Sequence, residues 1–223
     1  MRTTLTLAEE LVLVATDKDG SVEMKAWNSL GNGIAGARLL ELALAGRIAL
    51  EDGKIVVVGA TPTGDPLADE ALEAIAASEK PRNAEHWVGK LAKGGVRKRV
   101  FAGLDERGVL AAERGKFLGL VPRTRQVEVD PEPERELRAR LHAAVLGEVP
   151  APDARTVALA SLVKACSLVN AVFARGERKD AEKRIGELAA PDEVGAAVKA
   201  VTDATLAALG IIIGAAGAGG GQA

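Results

Sequence analysis

The chain has 223 residues, 48% of them hydrophobic and 27% charged, enough to bury a sizeable core in one large domain or two small, intimately packed ones. A formal net charge of −2 excludes a global electrostatic pull toward nucleic acid, and a single cysteine, Cys166, excludes an intramolecular disulfide or a cysteine-based zinc site. Aliphatic side chains far outnumber aromatics and tyrosine is absent, which favours helices packed through small residues over a β-sandwich and leaves Trp27 and Trp87 conspicuous.

In chain order, Thr6-Leu7-Ala8-Glu9 matches a capping box and predicts a short buried helix over 7–14, with no apolar signal segment before it. Residues 17–20 read as a turn, and a second helix is expected over 33–45, stopped by Gly46 in a left-handed conformation. A hairpin follows, with strands at 47–50 and 54–58 around Glu51-Asp52-Gly53. Pro62-Thr63-Gly64-Asp65-Pro66 is a loop ending in an N-cap, with Asp65 as the cap and Pro66 at the first helical position. Helices over 66–77, 84–92 and 96–107 lead to a second hairpin at 109–120. After Pro122-Arg123-Thr124-Arg125 an acidic, proline-marked linker follows, and helices are expected over 132–146, 153–173 (broken), 177–190 and 191–213. The apolar stretch 204–218 reads as too short to cross a bilayer, and 217–223 as a frayed tail. The fold class is therefore mainly α: a single compact helical domain over 1–216 with two short antiparallel β-hairpins.

Two stretches repeat one pattern at an offset of 62 residues. Leu42, Gly46, Ile48, Glu51, Gly53, Lys54 and Ile55 line up with Leu104, Gly108, Leu110, Glu113, Gly115, Lys116 and Phe117. Each copy reads as a helix end, a glycine stop, and two strands joined by a tight turn. Taken alone, such units look winged-helix-like, but the overall acidity and the lack of a basic recognition helix in the first copy argue against DNA.

The chemistry-bearing patterns mostly have plainer readings. Gly31-Asn32-Gly33-Ile34-Ala35-Gly36 has dinucleotide-loop spacing, yet no βαβ unit follows it, so close helix packing explains the glycines better. Asp65, Asp69 and Glu70 are explained by capping and a solvated helix face, and His86 and His142 are isolated. Cys166 lies in an apolar run and reads as a small core residue. No catalytic residues, metal site or cofactor are expected. The segment 89–103 stands apart: it opens with Lys90, Lys93, Arg97, Lys98 and Arg99 without an acid among them, and Gly94-Gly95 marks a helix start there. Cations in a first turn oppose the helix dipole, and with the free amides they make a place for an anion such as phosphate. Trp27 has two readings, a core residue or an indole at a membrane interface.

Trp27-Asn28, the run Glu41-Leu42-Ala43-Leu44-Ala45-Gly46-Arg47-Ile48, Pro62-Thr63-Gly64-Asp65 with Leu67, Asp69, Glu70, Ala71 and Leu72, and Val96-Arg97-Lys98-Arg99 with Arg107-Gly108-Val109-Leu110 together resemble the Golgi phosphoprotein 3 family. The similarity runs in order from about Leu5 to Leu209, as in a bacterial member. The resemblance implies a mostly helical, non-enzymatic peripheral membrane protein that binds phosphatidylinositol 4-phosphate and serves as an adaptor. It implies a headgroup site at Trp27 and Arg97, with Ala35 and Gly94 standing where the family has arginine; Lys93 and Arg38 are the candidate substitutes. It also implies that the second hairpin, with Phe117 and Leu118 near its turn, mediates homo-oligomerisation close to the membrane.

The expectation is thus a cytoplasmic protein docking on an anionic phospholipid or phosphate surface, with an unidentified protein partner and no nucleic acid. The rival is a soluble protein-interaction or regulatory scaffold that binds no lipid.

Overall fold

The computed structural model describes residues 4–17, 22, 24–117, 121–147, 152–188 and 196–218. Among them are ten helices and two separate two-stranded antiparallel sheets, so the mainly α expectation holds.

Helix α1 (Leu7–Ala15) opens with the expected capping box: the Thr6 hydroxyl accepts from the Glu9 amide at 3.2 Å, and the Glu9 carboxylate accepts from the Thr6 amide at 2.8 Å. Every residue of α1 is buried, Glu9 and Glu10 included. Helix α2 (Met24–Leu44) begins nine residues before the expected start at 33, so the two glycine-spaced turns lie inside a helix. Packing overrides glycine's poor helix propensity there. A Cβ on Gly33 would sit 2.5 Å from Cys166 Sγ, and one on Gly36 would sit 3.0 Å from a Leu209 methyl. The glycines let neighbouring helices approach α2, as the packing reading anticipated.

Strands β1 (Ile48–Glu51) and β2 (Lys54–Val57) flank Asp52 and Gly53, both at positive φ (48° and 73°), the two-residue turn that matches strand twist. Helices α3 (Pro66–Ala76), α4 (Ala84–Leu91) and α5 (Val96–Glu106) follow, capped by Asp65, Asn83 and, without a side-chain bond, Gly95. The second hairpin departs from expectation. Strands β3 (Leu110–Phe117) and β4 (Val121–Glu128) are eight residues each, and Gly115 pairs with Arg123 inside the ladder instead of forming the turn. Arg114 stands where the first copy has Asp52, and a long side chain tolerates the left-handed region less well than aspartate does. Residues 122–125, beyond the expected hairpin at 109–120, lie within β4. Pro122 is accommodated because both strands of a two-stranded sheet are edges.

The repeat is nonetheless real in backbone terms. At Gly46 and Gly108 (φ 65° and 69°) the helix ends with the same pair of bonds: Arg47 and Val109 amides reach back to Leu42 and Leu104, and the glycine amides to Ala43 and Asp105. The Arg47 and Val109 carbonyls then each accept two amides from the far end of their hairpin, Val58 and Gly59 in one copy and Val129 and Asp130 in the other.

The remainder is α6 (Glu132–Val145), α7 (Ala154–Ala165), α8 (Val169–Val172), α9 (Arg178–Leu188) and α10 (Ala196–Ala218). The expected break in 153–173 falls at Ser167 (φ 59°), which closes α7 in the same way the glycines close α2 and α5. Residues 18–20, the 189–195 junction and 219–223 lie outside the described residues. Helix α10 corrects one expectation. It is continuous through Lys199 and Asp203, which pair at 2.5 Å, so Val198–Ala215 is long and apolar enough to cross a membrane by length and composition. Its inner face, Val201, Thr205, Ala208 and Leu209, is buried, and it packs on α2, α4 and α7.

Helix α2 is the hub. It touches α1, α3, α4, α5, α7 and α10, and its Leu30, Ile34, Leu39, Leu40 and Leu42 are fully buried. The buried α1 carboxylates are compensated by arginines from three other helices or their ends: Arg107 meets Glu9 at 2.8 Å, Arg140 meets Glu10 at 2.6 Å, and Arg155 bridges Glu41 (2.7 Å) and Glu10 (3.4 Å).

Candidate functional site: an exposed tryptophan at an uncapped helix start

The site assembles at the first turns of α2 and α5. Starting α2 at Met24 puts Trp27 in its first turn, where the side chain is 42% exposed, the more exposed of the two tryptophans; Trp87 is fully buried. Of the two readings of Trp27, the core one fails.

The turn between α4 and α5 sets the second element. Gly94 and Gly95 both have φ of 71°, a pair of left-handed residues that only glycine adopts cheaply. They redirect the chain so that α5 begins at Val96 with no side-chain cap, leaving the positive end of the helix toward solvent. No acid lies in that first turn.

Arg97 and Phe101, one turn apart on α5, hold the Trp27 indole along one face. The Arg97 guanidinium carbon lies 4.5 Å from the indole centroid, and the Phe101 ring stacks at 6.5 Å with 25° between planes. Arg97 Nη1 also donates to the Trp27 carbonyl at 2.6 Å. The guanidinium of this partly exposed residue is thereby fixed against an aromatic surface. Lys93 in the turn and Lys98 beside Arg97 are exposed.

The structure thus brings Trp27 and Arg97 into direct contact and sets Lys93 on the adjoining turn. Arg38 does not join them: it is 2% exposed, its Nε donates to the Leu67 carbonyl at 2.7 Å, and its Nη1 to the Leu91 carbonyl at 3.3 Å. Burial pushes its guanidinium pKa down, with Glu70 acting in the opposite direction. Leu118 lies outside the described residues, and Phe117 is described only as backbone, paired with Val121. Of the other cations in the basic run, Arg99 pairs with Glu70 at 2.5 Å and Lys90 lies 4.9 Å over the Trp87 ring.

The positions where the family resemblance expects arginine are structurally committed. Ala35 is fully buried in α2, and Gly94 occupies the left-handed region. Phe101 went unrecognised in the sequence, although its spacing of four from Arg97 puts the two on one helix face.

The catalytic alternatives acquire no geometry. His142 stacks on Phe173 and meets Glu177 at 3.3 Å, His86 lies edge-on to Trp87, and burial pushes the Cys166 thiol up to about 12. Among the described residues no group of three or more histidine, cysteine, aspartate or glutamate side chains is placed to hold a metal ion.

Comparison with known proteins agrees with the order of these elements. The family model described as Golgi phosphoprotein 3 (GPP34) matches residues 7–205. Vacuolar protein sorting-associated protein 74 of Eremothecium gossypii is 33% identical over 138 residues, a stretch covering 51% of this chain and 41% of that protein. With the match extending from the first turn of α1 into α10, this chain belongs to the Golgi phosphoprotein 3 family.

Proposed function

We propose that this protein is a non-enzymatic peripheral membrane protein that binds a phosphate-bearing anionic lipid headgroup through Trp27 and Arg97, with Lys93 assisting. The observation carrying the reading is the exposed indole held by Arg97 at the uncapped start of α5. The guanidinium supplies charge-assisted hydrogen bonds to phosphate, the helix end supplies amides and a positive dipole, and the indole supplies an amphipathic surface for the interfacial region.

The selectivity in this reading follows from which cations are present. Two of the arginines expected from the family resemblance are missing, and a hydrogen bond to a charged group is worth about 1.5–3 kcal/mol. Tight preference for phosphatidylinositol 4-phosphate over other anionic lipids is therefore not part of this reading. A basic residue near an anionic surface contributes about 1 kcal/mol, so a few such residues give weak, salt-sensitive docking. Homo-oligomerisation through the β3–β4 hairpin would multiply it, and an adaptor role toward an unidentified protein partner completes the proposal.

Co-sedimentation with vesicles of phosphatidylcholine alone, or with phosphatidylglycerol or phosphatidylinositol 4-phosphate added, tests it. Binding to both anionic compositions, reduced by Trp27→Ala and by Arg97→Ala and weakened by salt, is the expected result. Equal, negligible pelleting with all three compositions overturns it in favour of a soluble scaffold.

A further inference from the structure

A second cationic arrangement lies on the other side of α5. Arg99 is two residues from Arg97, about 200° around the helix, and so faces α3 instead of Trp27. Between Arg99 and the buried Arg38 sits the Glu70 carboxylate of α3, one oxygen 2.5 Å from Arg99 Nη2 and the other 3.6 Å from Arg38 Nη2.

Three observations mark this as more than a surface ion pair. Arg38 is 98% buried, and among the described residues its Nη2 has no hydrogen-bond partner although Nε and Nη1 are both engaged. A buried guanidinium N–H without a hydrogen bond is costly, and Glu70, at 3.6 Å, gives this one an ion pair too long to be a hydrogen bond. Glu70, by contrast, is half exposed, as is Arg99, so the carboxylate reaches in from solvent and can leave by side-chain rotation alone. The carboxylate hydrogen-bonded to Arg99 pairs with Arg38 only at ion-pair distance. A tetrahedral anion with four oxygens can meet both guanidiniums.

We propose that the space between Arg38 and Arg99 is an anion-binding site for phosphate, as the free ion or a phosphomonoester, which the protein's own Glu70 carboxylate occupies until a ligand displaces it. Glu70 acts as an internal competitor that sets a threshold for occupancy. The site is independent of the Trp27–Arg97 surface: the two lie on opposite sides of the first turn of α5 and share no side chain.

Calorimetric titration with inorganic phosphate tests this. Glu70→Gln removes the competing charge at nearly constant shape, and its phosphate affinity is expected to exceed that of the unaltered protein about ten-fold or more, the scale of one charge-assisted hydrogen bond. Glu70→Ala must give the same gain. Adding Arg99→Ala to Glu70→Gln abolishes the gain, whereas adding Arg97→Ala leaves it intact. Titration with glycerol 3-phosphate, and co-sedimentation with vesicles containing phosphatidic acid, then show whether the phosphate comes from solution or from a membrane. No gain in either Glu70 variant, or a gain that depends on Arg97 and not on Arg99, overturns the proposal. Neither result bears on lipid docking through Trp27, which the Trp27→Ala vesicle experiment reads separately.

Discussion

Gly33→Ala separates the packing explanation of the glycine-spaced motif from a ligand-binding one. The new Cβ would lie 2.5 Å from Cys166 Sγ and 2.9 Å from a Leu11 methyl, at a point where both residues are almost wholly buried. Overpacking of this kind costs about 1–3 kcal/mol, against about 1 kcal/mol gained by replacing glycine with alanine inside a helix. With two contacts under 3.0 Å the cost falls in the upper part of that range, about 2–3 kcal/mol, so the net expectation is a loss of about 1–2 kcal/mol, which for a chain of this size lowers the melting temperature by about 2–8 °C. Gly31→Ala is the internal control. Its Cβ meets only the Ala92 carbonyl at 3.7 Å, an ordinary contact, so the helix gain survives and stability rises by up to about 1 kcal/mol. Adding Cys166→Ala to Gly33→Ala removes the closest clash and recovers part of the loss, a coupling that a double-mutant cycle measures. Urea unfolding followed by circular dichroism, at constant m, supplies the values. A Gly33→Ala protein as stable as the unaltered one, or a Gly31→Ala protein that loses more than Gly33→Ala, would refute both the packing role and the placement of these glycines within α2.

Two further outcomes follow from the charge clusters. Arg155→Met leaves Glu10, 5% exposed, and Glu41 without their shared partner, and unfolding is expected to become easier by about 3 kcal/mol in denaturant titration; an unchanged midpoint would show that Arg140 alone suffices. The Arg99 guanidinium holds the Glu70 carboxyl below its ordinary value of 4.5. As pH falls, the unfolded chain therefore takes up the proton first, so the pair's stabilisation is complete above about 4.5 and disappears as pH drops through the lower folded value. Because both side chains are about half exposed, the difference between the unaltered protein and Glu70→Gln is expected to be small near neutrality and to vanish in acid, read from melting temperatures across that range. A difference that grows on acidification would contradict the assignment.

What the sequence determined by itself was local. The capping box of α1, the Asp65 cap with Pro66 behind it, the Asp52-Gly53 turn and the glycine stops at 46 and 108 are each written in a few adjacent residues, because caps and tight turns are satisfied by near neighbours. The family was legible for the same reason, since its motifs are short runs kept in order. The start of α2 was not legible. Glycine-rich helix turns look like a loop until Leu11, Cys166, Leu209 and Thr205 are packed against them. Nor could the sequence divide the labour among the cations. Arg38, Arg97 and Arg99 are alike as letters, and only the tertiary arrangement lays one on an exposed indole, pairs one with Glu70 at the surface and buries the third beneath it. Burial and partner choice are long-range properties, set by which helices meet, and that decided which of these cations faces solvent and which is enclosed.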